Sequence, residues 1–258
     1  MPLSDLPLSP MRARWRAAAV HVALSAVVAT LAALFVFGIW YPGAYRLLAG
    51  GQSLFVLVTS VDLVLGPLLT LVVFDIKKSR AHLWRDLMVI GLLQLAGLAY
   101  GLHTVWVARP VAMVFEIDRF RVLSEGQIRL SELPRALPAY RTLSWRGPVV
   151  LGTRKPVSVA DRNEALFAAV DGFDIGQRPL YWQPYAESVP DVLQRSRPVS
   201  RLLDAHEARR AELTERIRAL GVDLATVTFL PVIARGNWVA ILDPAGQIAG
   251  FLPVDGFV

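Results

Sequence analysis

One acidic side chain, Asp62, interrupts a stretch of otherwise apolar residues that is long enough to cross a membrane. A charged carboxylate near the centre of a bilayer costs at least about 3 kcal/mol unless it faces protein or water and has a partner. Two interpretations stay open. The favoured one is structural, with a hydrogen bond to another helix, for example to Gln94 or Thr59. The other is functional, with Asp62 as a proton site, a catalytic acid or a contact for a partner protein.

Catalytic chemistry has little support beyond this one carboxylate. An intramembrane aspartyl protease needs two carboxylates close together, because one is the acid and the other the base. The other candidate, Asp75, lies about 20 Å farther along a straight helix. The chain has no cysteine, and its four histidines lack metal-ligand spacing. Nucleophile-elbow, phosphate-loop and zinc-protease motifs are absent. We therefore predict no enzyme activity, no catalytic residue, no metal and no cofactor.

Small residues and a proline accompany Asp62 in the apolar stretches. Gly66-Pro67 should kink its helix and free a backbone carbonyl one turn from Asp62. Gly97 and Gly101 form a pair that lets helix backbones approach closely. Packing among the protein's own helices is the favoured interpretation, and docking of another protein's helix is the alternative. Under that alternative, all five residues are candidate partner contacts in the membrane.

Three apolar stretches supply the elements that position these residues: Ala17–Trp40, Leu54–Phe74 and Leu87–Val107. At about 1.5 Å per residue, each is long enough to span the hydrocarbon core. A cleaved signal peptide is the competing interpretation of the first, but signal peptides have shorter apolar regions. The sequence thus predicts a tail at 1–16, three membrane helices within 17–108, and a small extracytoplasmic α+β domain at 109–258. Residues 1–11 are expected to be disordered.

Basic residues around the apolar stretches predict the orientation. The net charge is +6, and most of the excess lies beside the membrane stretches. Seven basic residues flank the predicted inner ends: Arg12, Arg14, Arg16, Lys77, Lys78, Arg80 and Arg85. The loop between the first two stretches carries Arg46 alone. Positive charge stays in the cytoplasm. We therefore expect a cytoplasmic N-terminus and a periplasmic C-terminal domain, and no nucleic acid as a partner.

The C-terminal part mixes strand and helix patterns. The predicted elements are strands at 111–122 and 141–151, a helix at 158–170, a loop at 171–190, a helix at 199–220, and a hairpin with strands at 238–242 and 247–252. Ser158 with Asp161 is typical of a helix start. Glu212 and Arg216 form a favourable pair four residues apart, and Gly221 suits a helix end.

Four segments form a recognisable set: Ser60–Leu71 (SVDLVLGPLLTL), Ala99–Leu102 (AYGL), Arg109–Val111 (RPV) and Val114–Phe120 (VFEIDRF). They resemble segments of the type IV pilin accessory proteins, the TfpX/TfpZ family. The resemblance is strongest from residue 54 to 123 and also covers the three-span layout. It implies a role beside one major pilin during pilus assembly in a bacterial inner membrane. Pilins wait there on one apolar helix with the head outside.

The sequence therefore predicts a non-enzymatic assembly factor or membrane chaperone for a type IV pilin. Its expected partners are the major pilin, other pilus assembly proteins and membrane lipid. One alternative is an intramembrane or periplasmic hydrolase, which would need a paired carboxylate or an activated nucleophile. Another is a sensor or transport subunit, but the predicted inner segments are too short for a cytoplasmic output domain.

Overall fold

The computed structural model describes residues 10–258, so the expected disorder of residues 1–11 falls mostly outside the described range. Four helices open the chain: α1 (Pro10–Phe35, extended by a π-helical turn, Val36–Trp40), α2 (Tyr45–Leu48), α3 (Gly51–Val73) and α4 (Arg80–Val107). Three of them, Met11–Trp40, Gly51–Val73 and Arg80–Val107, are long and apolar enough to cross a membrane. The three predicted spans are thus confirmed. They begin earlier than predicted. At the first and third spans, the flanking arginines are good helix formers and continue the helix.

The chain divides into two compact units. The membrane unit comprises residues up to Gly38 together with Gln52–Trp106, and the C-terminal unit comprises Ile39–Gly51 together with Val107–Val258. The short segment between the first two spans therefore packs with the C-terminal residues. Leu48 is fully buried there, and its carbonyl accepts a hydrogen bond from the Arg235 backbone at 2.8 Å.

The C-terminal unit is a mixed sheet with helices. Its strands are β1 (Pro110–Glu116), β2 (Arg119–Ser124), β3 (Val149–Thr153), β4 (Trp182–Pro184), β5 (Arg197–Pro198), β6 (Thr228–Ala234), β7 (Gly236–Leu242) and β8 (Ile248–Leu252). Its further helices are α5 (Val159–Val170), α6 (Tyr185–Arg195), α7 (Val199–Ala205) and α8 (Arg210–Arg218). The strand order is β4-β3-β1-β2-β6-β7-β8, with β5 paired to β6. The β1–β3 and β2–β6 pairs are parallel, and the others are antiparallel. This architecture confirms the predicted α+β class.

Both faces of the sheet are covered, as the alternation along β7 shows. Val239 and Ile241 pack in a cluster with residues of α7 and α8. Ala240 and Leu242 point to the opposite face and pack in a cluster that contains Leu48. The segment Ile39–Gly51 therefore contributes to the core on one side of the sheet.

The strand predicted at 111–122 is wrong, because the structure has the β1–β2 hairpin there. A turn at Ile117-Asp118 separates the two strands, and Ile117 has a φ of 57°. Such turns usually contain glycine or asparagine. This one contains neither at its first position, so the apolar pattern runs through it without a visible break.

Two further predictions in this unit are wrong. Only the end of the strand predicted at 141–151 is a strand, because Gly147, with a φ of 80°, and Pro148 interrupt the chain before β3. The loop predicted at 171–190 contains β4 and the start of α6.

The helix predicted at 199–220 is broken into α7 and α8 near His206. His206 leaves the helical conformation, and its Nε2 lies 2.8 Å from the Asp255 carbonyl. Other predictions are confirmed: Ser158 caps α5 by accepting a hydrogen bond from the Asp161 backbone, Glu212 pairs with Arg216 at 3.0 Å, and β7 and β8 form the hairpin.

Candidate intramembrane binding site

A polar cluster links the three membrane helices. His21 of α1 lies between Thr70 of α3 and Gln94 of α4. Its Nδ1 is 2.6 Å from Thr70 Oγ1, and its Nε2 is 2.5 Å from Gln94 Oε1. The Gln94 amide nitrogen then donates to the backbone carbonyl of Asp62 at 3.0 Å. In an apolar medium such contacts hold helices together where the hydrophobic effect does not.

The direction of the Gln94 amide fixes the proton on His21. Because its nitrogen donates to Asp62, its oxygen faces His21 and accepts. Nε2 of His21 must therefore carry the hydrogen, and in a neutral ring Nδ1 accepts from the Thr70 hydroxyl. The His21 ring, the Thr70 hydroxyl, the Gln94 amide and the Asp62 carbonyl then each have a hydrogen-bond partner.

Gly66 makes this cluster possible. A Cβ atom at this position would overlap the side-chain amide of Gln94. Gly66 and the adjacent Pro67 are both buried, and α3 continues through them. Of the five residues predicted as possible partner contacts, Gly66 thus lets α4 approach α3 within the membrane unit.

The glycine pair of α4 divides between two environments. A Cβ atom on Gly101 would overlap Val58 of α3, so this buried glycine serves packing within the unit. Gly97 is exposed, and a Cβ atom there would lie 3.3 Å from Oδ1 of Asp62. Gly97 therefore leaves open the space in front of the Asp62 carboxyl.

The Asp62 side chain is half-buried and makes no hydrogen bond to any of residues 10–258. Neither side-chain bond considered for it is present. Gln94 binds its backbone carbonyl instead, and the Thr59 hydroxyl donates to the Phe55 carbonyl at 2.8 Å. Asp62 is one of the polar residues that line an open groove.

This groove has a volume of about 780 Å³ and is lined by all three membrane helices. Its wall is mostly apolar, and several of its residues on α1 and α4 are small: Ala13, Ala17, Ser25, Ala29 and Gly91. Among its lining residues, Arg16 and Asp62 carry the charges. Asp75 does not line the groove. Its carboxylate pairs with Arg14 at 3.0 Å. The groove thus contains one carboxylate without a second to form an acid–base pair. Its geometry suits binding.

Buried charges in the C-terminal unit are paired. Arg178 is fully buried and contacts both Glu132 and Glu164 at 2.7 Å. Glu116, within the VFEIDRF segment, receives hydrogen bonds from Arg121 at 2.6 Å and from the Gly176 backbone at 2.9 Å. These groups hold strands and loops of the unit together.

Asp161, at the start of α5, is also held by its neighbours. Hydrogen bonds from the Tyr181 hydroxyl and the Arg154 guanidinium lower the pKa of Asp161 to about 2. The Tyr181 bond is the larger cause, and Arg154 lies 2.9 Å from the carboxylate. The geometry ties α5 to the residues before β4.

Sequence reasoning missed the roles of His21 and Thr70. A usable signal was available, because His21, Thr70 and Gln94 each interrupt an apolar stretch between about one and two turns from its predicted cytoplasmic end. Polar residues at matching depth in different membrane helices are candidates for mutual contact. Gln94 was considered only as a partner for Asp62.

The chain resembles proteins of known family across both of its units. The family model described as fimbrial assembly protein FimB matches residues 9–50. Two fimbrial assembly proteins of Dichelobacter nodosus, of serogroups I and E1, are 33% and 32% identical over 92% of this chain and 94% of their own length. A third, of serogroups C1 and C2, is 41% identical over 45% of this chain and 89% of its own length. No solved structure matches. With such identity over nearly the whole length of two relatives, the chain belongs to the fimbrial assembly protein family.

Proposed function

We propose that this protein is a non-enzymatic accessory factor that helps a specific type IV pilin to assemble into fimbriae in the bacterial inner membrane. The observation that carries the proposal is the similarity to fimbrial assembly proteins over 92% of the chain, which includes both the membrane unit and the C-terminal unit. Segments such as SVDLVLGPLLTL support placing it among the TfpX/TfpZ pilin accessory proteins.

The proposed topology has the N-terminus in the cytoplasm and the C-terminal unit in the periplasm. The excess of basic residues beside the predicted inner ends supports this orientation. A second observation agrees with three spans. If all three helices cross the membrane, residues 39–51 and 107–258 must emerge on the same side, and these two segments form one compact unit.

Reporter fusions test the topology. A reporter that is active only in the periplasm should be active after Val258 and silent near Lys78. The opposite pattern would overturn the orientation, and activity at both positions would overturn the number of spans.

Deletion and co-purification test the function. Deleting the gene should reduce surface fimbriae formed by its cognate pilin, and the full-length gene should restore them. The tagged full-length protein, solubilised in mild detergent, should co-purify with that pilin. Unchanged fimbriation together with no co-purification would refute the proposed function.

A further inference from the structure

The groove in the membrane unit has the dimensions of a helix-binding surface. On α1 its lining runs from Ala13 to Ala29, which is about 24 Å of helix. Along α3 and the residue that follows it, the lining runs from Thr59 to Phe74, about 22 Å. These lengths cover most of a hydrocarbon core of about 30 Å.

Small residues line the groove where a neighbour would need to come close. Ala13 and Ala17 lie one turn apart on α1, and Gly91 faces the groove from α4. Helices associate in lipid through close packing of such residues and through polar contacts. An occupant helix could therefore approach these backbones closely.

The polar groups of the groove favour a protein occupant over a lipid chain. The Asp62 carboxyl has no hydrogen-bond partner among residues 10–258, and Gly97 leaves the space in front of it open. Leu63, which also lines the groove, cannot receive the usual helical hydrogen bond because Pro67 has no N–H. An acyl chain has no donor to offer these acceptors, whereas a hydroxyl, amide or amine on a helix does.

We propose that the groove receives one membrane helix of the fimbrial subunit, and that the Asp62 carboxyl accepts a hydrogen bond from a donor on that helix. This inference rests on the proposed function, since it identifies the segment of the partner that binds. The face of α4 that carries Gly97 and Gly101 is then not the main docking face, because Gly101 is already packed against Val58.

Photocrosslinking in intact cells tests whether the fimbrial subunit binds in the groove, by comparing positions inside and outside it that are equally exposed. Leu24 and Leu95 line the groove and are 62% and 63% exposed, whereas Leu31 and Leu92 lie outside it and are both 62% exposed. A photoreactive residue at Leu24 or Leu95 should capture the fimbrial subunit, identified with an antibody, and one at Leu31 or Leu92 should not. Equal capture at all four positions, or adducts with phospholipid or a second copy of this chain at Leu24 and Leu95, would overturn the inference.

Substitution of Asp62 tests the hydrogen bond. Asp62→Asn keeps an acceptor oxygen and should retain most of the crosslink from Leu95. Asp62→Leu removes the acceptor and should lower the yield about three- to twenty-fold, the range for one hydrogen bond between membrane helices. Equal yields from both variants would refute a contact at Asp62, provided that both variants accumulate to the wild-type level.

Filling the groove tests its occupancy without changing any charge. Ala17→Leu adds bulk to the lining, while Ala23→Leu adds the same bulk to an exposed position of α1 outside the lining. The first should reduce both the Leu95 crosslink and surface fimbriae, and the second should change neither. If the protein co-purifies with the pilin and its deletion reduces fimbriae, but Ala17→Leu has no effect, the groove assignment fails while the proposed function stands.

Discussion

The two units of the protein differ in whether an ionisable side chain that is shielded from solvent has a hydrogen-bond partner. In the C-terminal unit, Arg178 is fully enclosed and held by two glutamates, and Glu116 is held by Arg121 and a backbone amide. In the membrane unit, Asp62 is half-buried among apolar residues, and its carboxyl makes no hydrogen bond within the described chain. A paired charge is explained by the fold it stabilises, but an unpaired charge in lipid has a cost that the fold does not offset. This difference is the reason why we propose Asp62 as a contact for a second protein.

The largest effect should come from breaking a pair in the C-terminal unit. Arg178→Met leaves Glu132 without its main partner in a buried site and should lower the free energy of unfolding by about 3–5 kcal/mol. Denaturant unfolding of the full-length protein in detergent, followed by near-ultraviolet circular dichroism, measures it. Arg218→Met is the control, because its exposed pair with Glu215 should contribute less than about 1 kcal/mol. Equal losses of unfolding free energy in Arg178→Met and Arg218→Met would contradict the importance assigned to the buried pair. If Arg178→Met does not fold, adding Glu132→Gln should restore folding.

A smaller effect is expected from glycines inside the membrane unit. Gly66→Ala forces Gln94 away from its bonds to His21 and Asp62 and should destabilise the unit by about 1–3 kcal/mol. Gly97→Ala meets only the Asp62 carboxyl at 3.3 Å and should be close to neutral. Unfolding of the full-length protein in mixed micelles with increasing sodium dodecyl sulfate compares the two. A neutral Gly66→Ala would show that the polar cluster is not rigid.

Acid stability should depend on Asp161. Because its pKa is lowered to about 2, its ionised form stabilises the fold above about pH 4, and this contribution is lost as the pH falls from about 4 towards 2. Asp161→Asn should therefore remove on the order of 1–2 kcal/mol at pH 7 and flatten the acid side of the stability profile. Asp171→Asn, at the exposed end of α5, serves as the control. An unchanged profile in Asp161→Asn would disprove the assigned role of Tyr181 and Arg154.

The β1–β2 turn offers a stabilising change. Ile117 is exposed and has a φ of 57°, which is unfavourable for a β-branched residue. Ile117→Gly should stabilise the C-terminal unit by about 0.5–1 kcal/mol, because relief of this strain exceeds the entropy cost of glycine. Thermal unfolding of the full-length protein measures the change. A loss of stability would mean that the Ile117 side chain makes favourable contacts in solution.

The smallest effect on stability is expected at Asp62 itself. Since its carboxyl makes no hydrogen bond in the described chain, Asp62→Asn should change the free energy of unfolding by less than about 0.5 kcal/mol. The micelle titration used for the glycines measures it in the absence of the fimbrial subunit. A loss of several kcal/mol would remove the contrast between the two units.

The sequence was most informative where one physical signal dominates. Apolar length predicted the three spans, and the Ser158–Asp161 cap predicted the start of α5, because both signals are local. The turn at Ile117 and the break at His206 were hidden, since the apolar pattern on either side continues without a phase change. The His21 cluster was missed for another reason: the matching depth of its polar residues is visible in the sequence, but which side chains face one another is decided by packing between distant residues.

The placement of Ile39–Gly51 in the C-terminal unit has a consequence for biosynthesis. These residues leave the ribosome before the second and third spans, yet Leu48 packs with residues of β6 and β7, which are made more than 170 residues later. The early segment can therefore complete its core packing only after the rest of the unit is synthesised. In the proposed topology, the two pieces can meet only if both α3 and α4 cross the membrane, because together they return the chain to the side that it left after α1. Completion of the sheet core thus depends on correct membrane insertion, and a chain with a misplaced span would remain unfolded and open to proteolysis.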